Sequence, residues 1–515
     1  MTSTAMRDVL VIGGGINGCG IARDAAGRGL SVTLVEMRDL ASAGSSATAK
    51  LLHGRLCDLD DLRLLPVREA LLERDVLLRA MPHIVRPLRF VMPVGRGAAP
   101  AVCPTTGAEL PRRRKGGAGS LPKRLALFLY DHLGGRSILP GAVSRALPGT
   151  EEGAPLKPGY RTAWEYSDCG VEDSRLVVLN ARDAAAHGAE VLVRTRAVSA
   201  EVVDGVWHVI LEDAAGNRRL CRARSLVNAA GPWVSEVIGG VAGARALTMP
   251  EETYRTHIVV PKLYDHDKGY AFAEPDGGLL FAIPFEAEFT LIGRIDAPGK
   301  SGAAAGAVQA RGEAAVLAAA NRHFATPIRP GDVLRSFTEV SLLHRGSELA
   351  FDEATGAPFL SVLSNRITTY RRLAEQAVDR LARHLGGAAP AWTATAPLPG
   401  GDFVVNGVQT LADRLVSEYG FLTPAWGLRL IRSYGTEAWE LLGKAATEAE
   451  LGQAFGATLT AREVGWLMER EFAQRAEDVV WRRTRLGLKM SAAEIAALDA
   501  WMTSHVPETR RAAAE

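Results

Sequence analysis

The first forty residues alternate between short apolar runs and a glycine-rich turn. Residues 8–12 form an apolar run typical of a buried strand, glycines follow over 13–18, and apolar residues then recur at helical spacing over 21–28. A second apolar run over 30–36 ends in an acid. The pattern predicts a strand, a tight turn, a helix and a strand, which is the opening unit of an α/β domain with a parallel sheet.

Later segments change from this mixed pattern to an antiparallel and then to a helical one. Helical spacing predicts a helix over 66–79. Apolar runs at 188–198 and 224–231 predict strands that return to the first sheet, with a hairpin between them. Alternation of apolar and polar residues over 255–300 predicts a second, antiparallel sheet, and from about residue 402 the spacing is helical. The chain is therefore predicted to fold as two or three regions.

Composition and charge narrow the class of protein. The chain has 515 residues, of which 47% are hydrophobic and 23% charged, as is ordinary for a globular protein of more than one region. Lys and Arg number 60 against 58 Asp and Glu, and this balance argues against a nucleic-acid-binding protein. No apolar run reaches the roughly 18–20 residues of a membrane span. We expect a cytoplasmic protein without a signal peptide, because the first apolar run belongs to a folded motif.

The five cysteines are scattered along the chain and never form a C-x-x-C pair. They are Cys19, Cys57, Cys103, Cys169 and Cys221. Such a pattern is typical of a reducing compartment and indicates neither a disulfide framework nor a structural zinc site. We therefore expect no metal centre.

The glycine-rich turn fits the G-x-G-x-x-G pattern of dinucleotide-binding domains. Gly13, Gly15 and Gly18 would provide a tight turn, close approach of the backbone to a diphosphate, and close packing of helix on strand. The diphosphate would lie at the helix N-terminus, where free N–H groups favour an anion. Glu36 ends the second strand, where a carboxylate can bind a ribose hydroxyl. The motif predicts a dinucleotide site. A turn without a nucleotide is the alternative, and the spacing leaves FAD and NAD open.

Further segments along the whole chain match one protein family in sequence and in order. The matching segments are residues 11–18, 23–31, 45–46, 50–54, 130–133, 165–168, 227–233, 257–261, 368–371 and 481–484. In these segments the chain resembles the aerobic, FAD-dependent glycerol-3-phosphate dehydrogenases. The resemblance implies FAD as the cofactor and an enzyme that transfers a hydride from a small-molecule substrate to the flavin.

The resemblance also implies a fold in three parts. A doubly wound α/β domain would bind FAD, an antiparallel substrate domain would cap the flavin, and an all-helical domain would follow at the C-terminus. In this chain the FAD-binding domain is expected to be discontinuous. The expected regions are 1–80 joined by about 160–235 and 345–390 for FAD binding, 81–159 and 236–344 for the cap, and 391–515 for the helical domain.

Cofactor contacts beyond the glycine turn are implied by the same resemblance. Two serines would contact FAD, an Asn and a Gly would belong to a second fingerprint of the FAD-binding domain, and two threonines would lie near the flavin. These residues are Ser45, Ser46, Asn228, Gly231, Thr368 and Thr369. For the serines and threonines, hydrogen bonding within loops and helix caps is the alternative.

Hydride transfer from a carbinol carbon needs a fixed substrate and a base for the hydroxyl proton. His257 matches a histidine that the family places in the substrate pocket, and it is the first candidate base. A strand histidine that serves the core is the alternative for this position. His53 is the second candidate. Arg366 keeps the positive charge of a family lysine and is a candidate for anion binding.

The substrate side departs from the family where phosphate binding is expected. Residues 54–58 read Gly-Arg-Leu-Cys-Asp in place of Gly-Gly-Leu-Arg-Tyr, and residues 339–343 read Glu-Val-Ser-Leu-Leu in place of Gly-Val-Arg-Pro-Leu. Asp58 and Glu339 would repel a phosphate dianion. Because the nucleotide-binding segments are intact, we predict retained FAD chemistry and a substrate other than glycerol 3-phosphate.

Three hypotheses for this altered substrate side stay open. In the first, the enzyme oxidises a carbinol of a small polyol, polyol phosphate or related metabolite, and Arg55, Arg294 and Arg366 rebuild an anion site. In the second, it oxidises a C–N or N–N bond, and Asp58 and Glu339 attract a cationic group. In the third, the chain is a non-catalytic flavin-binding protein.

A basic and then apolar stretch indicates further partners. Residues 112–115 are Arg-Arg-Arg-Lys, and residues 121–130 are largely apolar. In the family an equivalent region helps the enzyme to lie on the membrane and reach quinone, and such a surface binds anionic lipid. We expect peripheral contact with the inner membrane face and a quinone or another carrier as electron acceptor. A partly buried helix is the alternative for this stretch, and a homodimer stays open.

Overall fold

The chain folds into two large sheets followed by a helical region. The structure, a computed structural model, describes residues 5–59, 62–95, 123–135, 138–243, 251–274, 279–298, 305–343, 348–352, 356–364 and 366–506. The strands are β1 (Arg7–Ile12), β2 (Val32–Glu36), β3 (Leu51–Leu52), β4 (Val85–Gly95), β5 (Val143–Ala146), β6 (Tyr160–Val171), β7 (Glu190–Val193), β8 (Thr195–Val203), β9 (Val206–Asp213), β10 (Arg218–Asn228), β11 (Glu251–Pro261), β12 (Gly269–Ala273), β13 (Leu279–Phe285), β14 (Phe289–Pro298), β15 (Arg335–Leu343), β16 (Leu349–Asp352), β17 (Phe359–Val362), β18 (Ala454–Gly456) and β19 (Leu459–Thr460). The α-helices are α1 (Ile16–Gly27), α2 (Leu64–Ala80), α3 (Lys123–Leu133), α4 (Asp173–Ala186), α5 (Val234–Glu236), α6 (Ala305–His323), α7 (Tyr370–Leu385), α8 (Val408–Glu418), α9 (Pro424–Tyr434), α10 (Ala438–Leu442), α11 (Ala461–Arg470) and α12 (Ala492–Ser504).

The first sheet is built around β1, whose apolar side chains are buried on both faces. Its strand order is β16-β17-β10-β1-β2-β7, and β1 runs parallel to both β10 and β2. Helices α1, α4 and α7 pack on one face around residues such as Leu34 and Val178. The hairpin β8–β9, with Trp207, covers the other face. The predicted α/β domain is confirmed, and its topology brings the carboxyl ends of β1, β2 and β10 to one edge.

The second sheet is mostly antiparallel, as the alternation over 255–300 predicts. Its strand order is β15-β11-β14-β13-β12-β4-β6-β3, and β5 pairs with β6. Helix α6 packs on one face through Val316 and Ala320, while α2 and α3 contribute Leu71 and Leu127 to a second apolar cluster. The sequence predicts that residues from about 160 belong to the FAD-binding domain. Strand β6 lies in the second sheet instead, because its backbone pairs with β4 along the whole length of that strand.

The C-terminal region is helical, as predicted, and has an apolar core of its own. Helices α8 to α12 pack around residues such as Leu430, Val464 and Leu467, together with the two-stranded hairpin β18–β19. Buried ion pairs, among them Arg175–Glu471, join this region to α4 of the first domain. The C-terminal region is therefore docked on the α/β domain by charged as well as apolar contacts.

Part of the segment expected at the membrane falls outside the described residues. Residues 112–115 and 121–122 belong to this part, and the remainder of the stretch forms α3 and is described. In the ranges that the structure covers, no helix combines the length and the apolar character needed to cross a bilayer.

Close packing between α6 and β11 fixes the sheet that carries His257. Thr256, the neighbour of His257 in β11, is fully buried, and Gly312 of α6 lies directly against it. A Cβ atom at Gly312 would overlap the Thr256 side chain. The helix can approach the strand this closely only because residue 312 has no side chain.

Replacement of Gly312 with alanine is expected to lower the free energy of unfolding by about 1–2 kcal/mol, because the overlap outweighs the gain in helix propensity. Gly306→Ala in the same helix is the matched control, since no atom lies within 4 Å of the added methyl group. Urea denaturation of the two variants measures the difference. Equal stabilities would contradict the packing argument.

Candidate active site

A cavity of about 460 Å³ lies where the carboxyl ends of the parallel strands face the second sheet. Its walls include the glycine turn after β1, the end of β2 and most of the segment that follows, residues 37–50, which we call the 37–50 loop. On the opposite side, Glu339 and Val340 of β15 line the cavity. The cavity therefore lies at the edge of the sheet where α/β proteins bind their ligands.

The glycine turn adopts the shape that the sequence motif predicts. Gly13 has φ +115°, and a Cβ atom there would overlap the backbone oxygen of Ala229 in the neighbouring segment. A Cβ atom at Gly18 would overlap the backbone oxygen of Gly13. Gly13 and Gly15 line the cavity, and Gly15 directly precedes α1. The N-terminus of α1 is thus brought to the cavity wall, where its backbone N–H groups and its dipole favour a diphosphate. Ile16 N at this end donates to Ser45 Oγ.

Glu36 ends β2 at the cavity wall, as its position in the sequence predicts. Its carboxylate accepts hydrogen bonds from Gly14 N at 2.7 Å and from Arg38 N at 2.8 Å. Burial raises the pKa of Glu36 in spite of these two donors. The side chain both closes the glycine turn and presents a carboxylate at the place expected for a ribose.

The residues expected to form the second fingerprint follow β10. One of them stabilises the turn after the strand, and the other lines the cavity. Asn228 is fully buried; its Nδ2 donates to Val234 O at 2.8 Å, and its Oδ1 accepts from Ala230 N at 3.3 Å. These bonds fix the turn after β10. Gly231, with φ +58°, lies in that turn and lines the cavity.

The two serines of the 37–50 loop differ in position. Ser45 lines the cavity, and its Oγ accepts a hydrogen bond from Ile16 N at 3.0 Å, at the beginning of α1. Ser46 Oγ donates to Ala43 O at 3.2 Å and so stabilises the turn of the loop itself. The first serine joins the loop to the glycine turn, and the second shapes the loop.

The two threonines are buried at the N-terminus of α7. Thr369 directly precedes the helix, and the backbone oxygen of Thr369 accepts from Leu373 N. Ile367, one residue before Thr368, lines the cavity. The threonines therefore lie beside the cavity, where the helix begins.

His257 is buried in β11 between aromatic rings. The Phe337 ring stacks on it with centroids 5.2 Å apart, and the Phe281 ring lies 5.6 Å away. Burial, followed by the charges of Lys50 and Arg255, lowers the pKa of His257 to about 3. The imidazole is therefore neutral near pH 7, and burial makes it a weaker base than an exposed histidine.

Lys50 is a buried cation close to this imidazole, and the sequence analysis assigned it no role. Its Nζ lies 2.8 Å from both carboxylate oxygens of Asp173, donates to Ser46 O at 2.9 Å, and lies 5.2 Å from the Phe337 ring centroid. Burial lowers the pKa of Lys50, and Asp173 opposes this effect. The residue links the 37–50 loop to the strand beside His257.

The arginines near the substrate side are held by carboxylates. The three pairs are Arg55–Asp58, Arg255–Glu339 with 3.3 Å between Nη1 and Oε2, and Arg366–Glu348 with 2.8 Å between Nη1 and Oε1. Burial, followed by the charge of Arg366, lowers the pKa of Arg55, so these two guanidinium groups lie close enough to interact.

Arg294 lies away from this group. It pairs with Thr256 of β11, and cross-strand partners share a face of the sheet. Thr256 packs against α6, whereas its neighbour His257 faces the other side. The sequence hypothesis that Arg294 joins Arg55 and Arg366 in an anion site is therefore wrong, because strand alternation points it to the α6 side.

His53, the second candidate base, is half-buried near the Arg55–Asp58 pair. Its Nδ1 accepts from Arg55 N at 3.3 Å, and burial lowers its pKa. Gly54 N beside it donates to Tyr130 Oη at 2.7 Å. His53 thus lies beside the Arg55–Asp58 pair. The stacking on phenylalanine rings that encloses His257 is not seen for His53 among the described residues.

Arg255 and Phe337 were missed by the sequence analysis. Arg255 lies two residues before His257, so strand alternation places both on one face. Phe337 is the cross-strand partner of His257 in β15. The period-two spacing could have indicated Arg255, whereas the partner in β15 follows only from the register of the sheet.

Comparison with known proteins identifies the family. A model of the FAD-dependent oxidoreductases matches residues 8–351, and a model of the C-terminal domain of alpha-glycerophosphate oxidase matches residues 391–509. A glycerol-3-phosphate dehydrogenase of Pseudomonas aeruginosa is 42% identical over 98% of this chain and 96% of that protein. The chain belongs to the FAD-dependent glycerol-3-phosphate dehydrogenase family. The resemblance seen in the sequence is confirmed.

Two further comparisons bear on this FAD-dependent oxidoreductase. A D-erythritol 1-phosphate dehydrogenase of Brucella abortus is 39% identical over 96% of this chain and 97% of that protein. A solved glycerol-3-phosphate dehydrogenase of Bacillus halodurans, complexed with FAD, has a TM-score of 0.74 at 24% identity and covers 98% of this chain and 91% of that one. The predicted fold and the predicted cofactor, FAD, are confirmed.

FAD fits the donor set at the cavity. The glycine turn offers backbone N–H groups for a diphosphate, and the Glu36 carboxylate lies where a ribose hydroxyl can donate to it. The aromatic and aliphatic wall at Trp233 and Val237 can receive a planar base. In the oxidoreductase the 37–50 loop meets β15 at the cavity, where Gly44 lies against Glu339 and Val340.

Replacement of Gly293 in the oxidoreductase with alanine is expected to displace His257. The added methyl group would overlap both the His257 and the Phe281 rings. His257 is the first candidate base, and a small displacement of a catalytic base is costly. On that assignment we expect the rate of flavin reduction to fall about a hundredfold while bound FAD is retained. Stopped-flow absorbance with a substrate that reduces the wild type measures the rate. Gly170→Ala, in β6 of the same sheet, is the control, since its methyl group has only ordinary contacts; equal rates in both variants would contradict the prediction.

Proposed function

We propose that this FAD-dependent oxidoreductase oxidises the carbinol group of a small polyol or polyol derivative that carries no phosphate dianion. Bound FAD supplies the hydride acceptor. The chain supplies a base, a fixed orientation of the substrate and a site from which water is excluded.

Five of the residues expected to contact FAD line the cavity. We propose that these five residues contact the cofactor. They are Gly13, Gly15, Glu36, Ser45 and Gly231. The other five lie in the turns and at the helix end around the cavity, and we propose that they shape the site. They are Gly18, Ser46, Asn228, Thr368 and Thr369.

His257 is the proposed catalytic base. An imidazole nitrogen of His257 would accept the hydroxyl proton as the hydride leaves the carbinol carbon. The fixed position of the ring between Phe337 and Phe281 supports this role. His53 is the second candidate for proton transfer, and Arg366 is proposed to orient a polar group of the substrate.

The arginine–carboxylate pairs are the observation that carries the substrate assignment. Arg55 is paired with Asp58, Arg255 with Glu339, and Arg366 with Glu348. A phosphate dianion would have to compete with a carboxylate already in place at each guanidinium group, and two like charges at one site repel. A substrate without that charge leaves every pair intact.

Oxidation of a C–N or N–N bond is the weaker proposal. It requires Asp58 and Glu339 to attract a cationic group, yet Arg55 and Arg255 already neutralise these carboxylates. The proposal therefore remains only as an outcome of the substrate test. Family membership likewise favours an enzyme over a non-catalytic flavin-binding protein.

Anaerobic reduction of the bound flavin by matched substrate pairs tests the assignment. We expect glycerol or erythritol to bleach the flavin faster than glycerol 3-phosphate or erythritol 1-phosphate does. His257→Asn should slow the reduction by about 10²–10⁴-fold with an unchanged FAD content. Faster bleaching by the phosphorylated member of each pair would contradict the substrate proposal, and bleaching by amines alone would favour C–N oxidation.

A cytoplasmic location with peripheral contact at the inner membrane face is proposed from the surface of α3. Leu125 and Phe128 on this helix are 42% and 55% exposed, and Leu65 on the neighbouring α2 is 79% exposed. Arg124 adds a positive charge at the same surface. Apolar side chains flanked by basic residues bind anionic lipid through burial of apolar surface and through electrostatic attraction. We further propose a quinone in that membrane as the electron acceptor.

Sedimentation with vesicles of phosphatidylglycerol and phosphatidylcholine tests the membrane contact. Leu65→Glu combined with Phe128→Glu is expected to weaken binding at least about tenfold, because two apolar side chains no longer enter the lipid. Val404→Glu, at a 76% exposed position of the C-terminal region, is the control. Unchanged vesicle binding together with a wild-type dimer that the double variant loses would show that the patch forms a homodimer interface instead.

A further inference from the structure

A short segment of the C-terminal region reaches back to the 37–50 loop. This segment, residues 481–485, is here called the anchor segment. Its Trp481 ring lies 3.5 Å from the guanidinium carbon of Arg335, at the beginning of β15. It thus contacts the strand that carries Phe337 and Glu339. Its arginines contact the beginning of the 37–50 loop directly, at Asp39, and the end of the loop through Asp173 of α4.

The first contact is at Asp39. Arg483 donates to its two carboxylate oxygens from Nη1 and Nη2, both at 2.8 Å, and Arg482 donates to it as well. The Arg483 side chain is fully buried, and its remaining donors are satisfied by Glu471 O. Burial alone would raise the pKa of Asp39, but these guanidinium groups hold the pKa below its usual value. A fork of this kind fixes both the position and the orientation of a carboxylate.

Because Asp39 is fixed, its neighbours in the 37–50 loop are held at the cavity wall. Arg38 and Ala41 on either side of it line the cavity, and Ala41 N donates to Gly14 O at 3.0 Å in the glycine turn. Ser42 N donates to Asp39 O at 3.2 Å. The beginning of the 37–50 loop is thereby held against the turn that receives the diphosphate.

The second contact is at Asp173, the first residue of α4. Arg485 Nη2 donates to Asp173 Oδ1 at 3.2 Å, and Asp173 Oδ2 accepts from Thr48 Oγ1 at 2.8 Å. Lys50 Nζ is bound to the same carboxylate and to Ser46 O. Thr48 lines the cavity, so the end of the loop is held there through Asp173.

We propose that the anchor segment sets the affinity for FAD by ordering the 37–50 loop before the cofactor binds. The loop contains little regular structure of its own, only the short helical turn Gly44–Ser46. An unanchored loop would have to lose its conformational freedom when FAD binds, whereas an anchored loop has already lost it on folding. Arg482, Arg483 and Arg485 act through Asp39 and Asp173 and are positioning residues for the cofactor.

Substitution of the two buried arginines by lysine tests the proposal. Arg483→Lys and Arg485→Lys keep the charge and lose the fork geometry. Arg182→Lys is the matched control: Arg182 joins α4 to Glu437 of the C-terminal region through two hydrogen bonds of 2.6 and 2.8 Å, away from the 37–50 loop. All three variants weaken the docking of the C-terminal region, but only the first two loosen the loop.

The readouts are the FAD dissociation constant, from fluorescence titration of the apoprotein, and the melting temperatures with and without FAD. We expect Arg483→Lys and Arg485→Lys to weaken FAD about tenfold or more, a usual size for coupling between sites. The rise in melting temperature on FAD addition should shrink accordingly. Hydrogen exchange of the apoprotein should accelerate in the 37–50 loop of these variants and not in Arg182→Lys.

Two results would overturn the proposal. One is an FAD dissociation constant within about twofold of the wild type in both anchor variants, well below the usual coupling. The other is an equal loss of FAD affinity in Arg182→Lys. If Arg483→Lys does not fold, Arg482→Gln replaces it, because Arg482 is partly exposed and its loss leaves the Arg483 fork with Asp39. Arg482→Gln is then expected to show a smaller loss, and an FAD dissociation constant within about twofold of the wild type in Arg485→Lys overturns the proposal.

Discussion

The burial of charge is the constraint on which the rest of this structure depends. An ionised group that leaves water must acquire a partner of opposite sign or lose its charge. Asp39 and Asp173 meet this requirement with cations from the C-terminal region, and the substrate side meets it with arginine–carboxylate pairs. His257, enclosed by phenylalanine rings, meets it by staying neutral. The need to pair or neutralise buried charge therefore shapes the docking of the C-terminal region, the order of the 37–50 loop and the surroundings of His257.

The features that the sequence predicted correctly are local ones. Gly13 and Glu36 lie within 25 residues of one another, and the strand–turn–helix–strand unit that carries them needs no information from the rest of the chain. The alternation over 255–300 likewise reports the local geometry of a half-buried sheet. For such segments, propensity and pattern act in the same direction, so the prediction and the structure agree.

The features that the sequence could not predict depend on register and on distant contacts. The acid at 339 reads as an unpaired charge because nothing local shows that Arg255 faces it from the neighbouring strand. The partner of Asp58, Arg55, is by contrast only three residues away. Arg485 and Asp173 lie 312 residues apart in the chain. The sequence places the residues of β6 in the FAD-binding domain. Only the pairing of β6 with β4 shows that this strand belongs to the second sheet. Only the three-dimensional structure supplies these pairings.

The distance between the two halves of the Asp39 contact has a consequence for synthesis of the protein. Asp39 and Arg483 lie 444 residues apart in the chain, and residue 39 leaves the ribosome well before residue 483 because synthesis proceeds from the N-terminus onward. Contacts of such long sequence separation form late in folding. The α/β domain therefore completes its nucleotide cradle only after residue 483 has been synthesised, so chains truncated before the anchor segment would lack a finished binding surface.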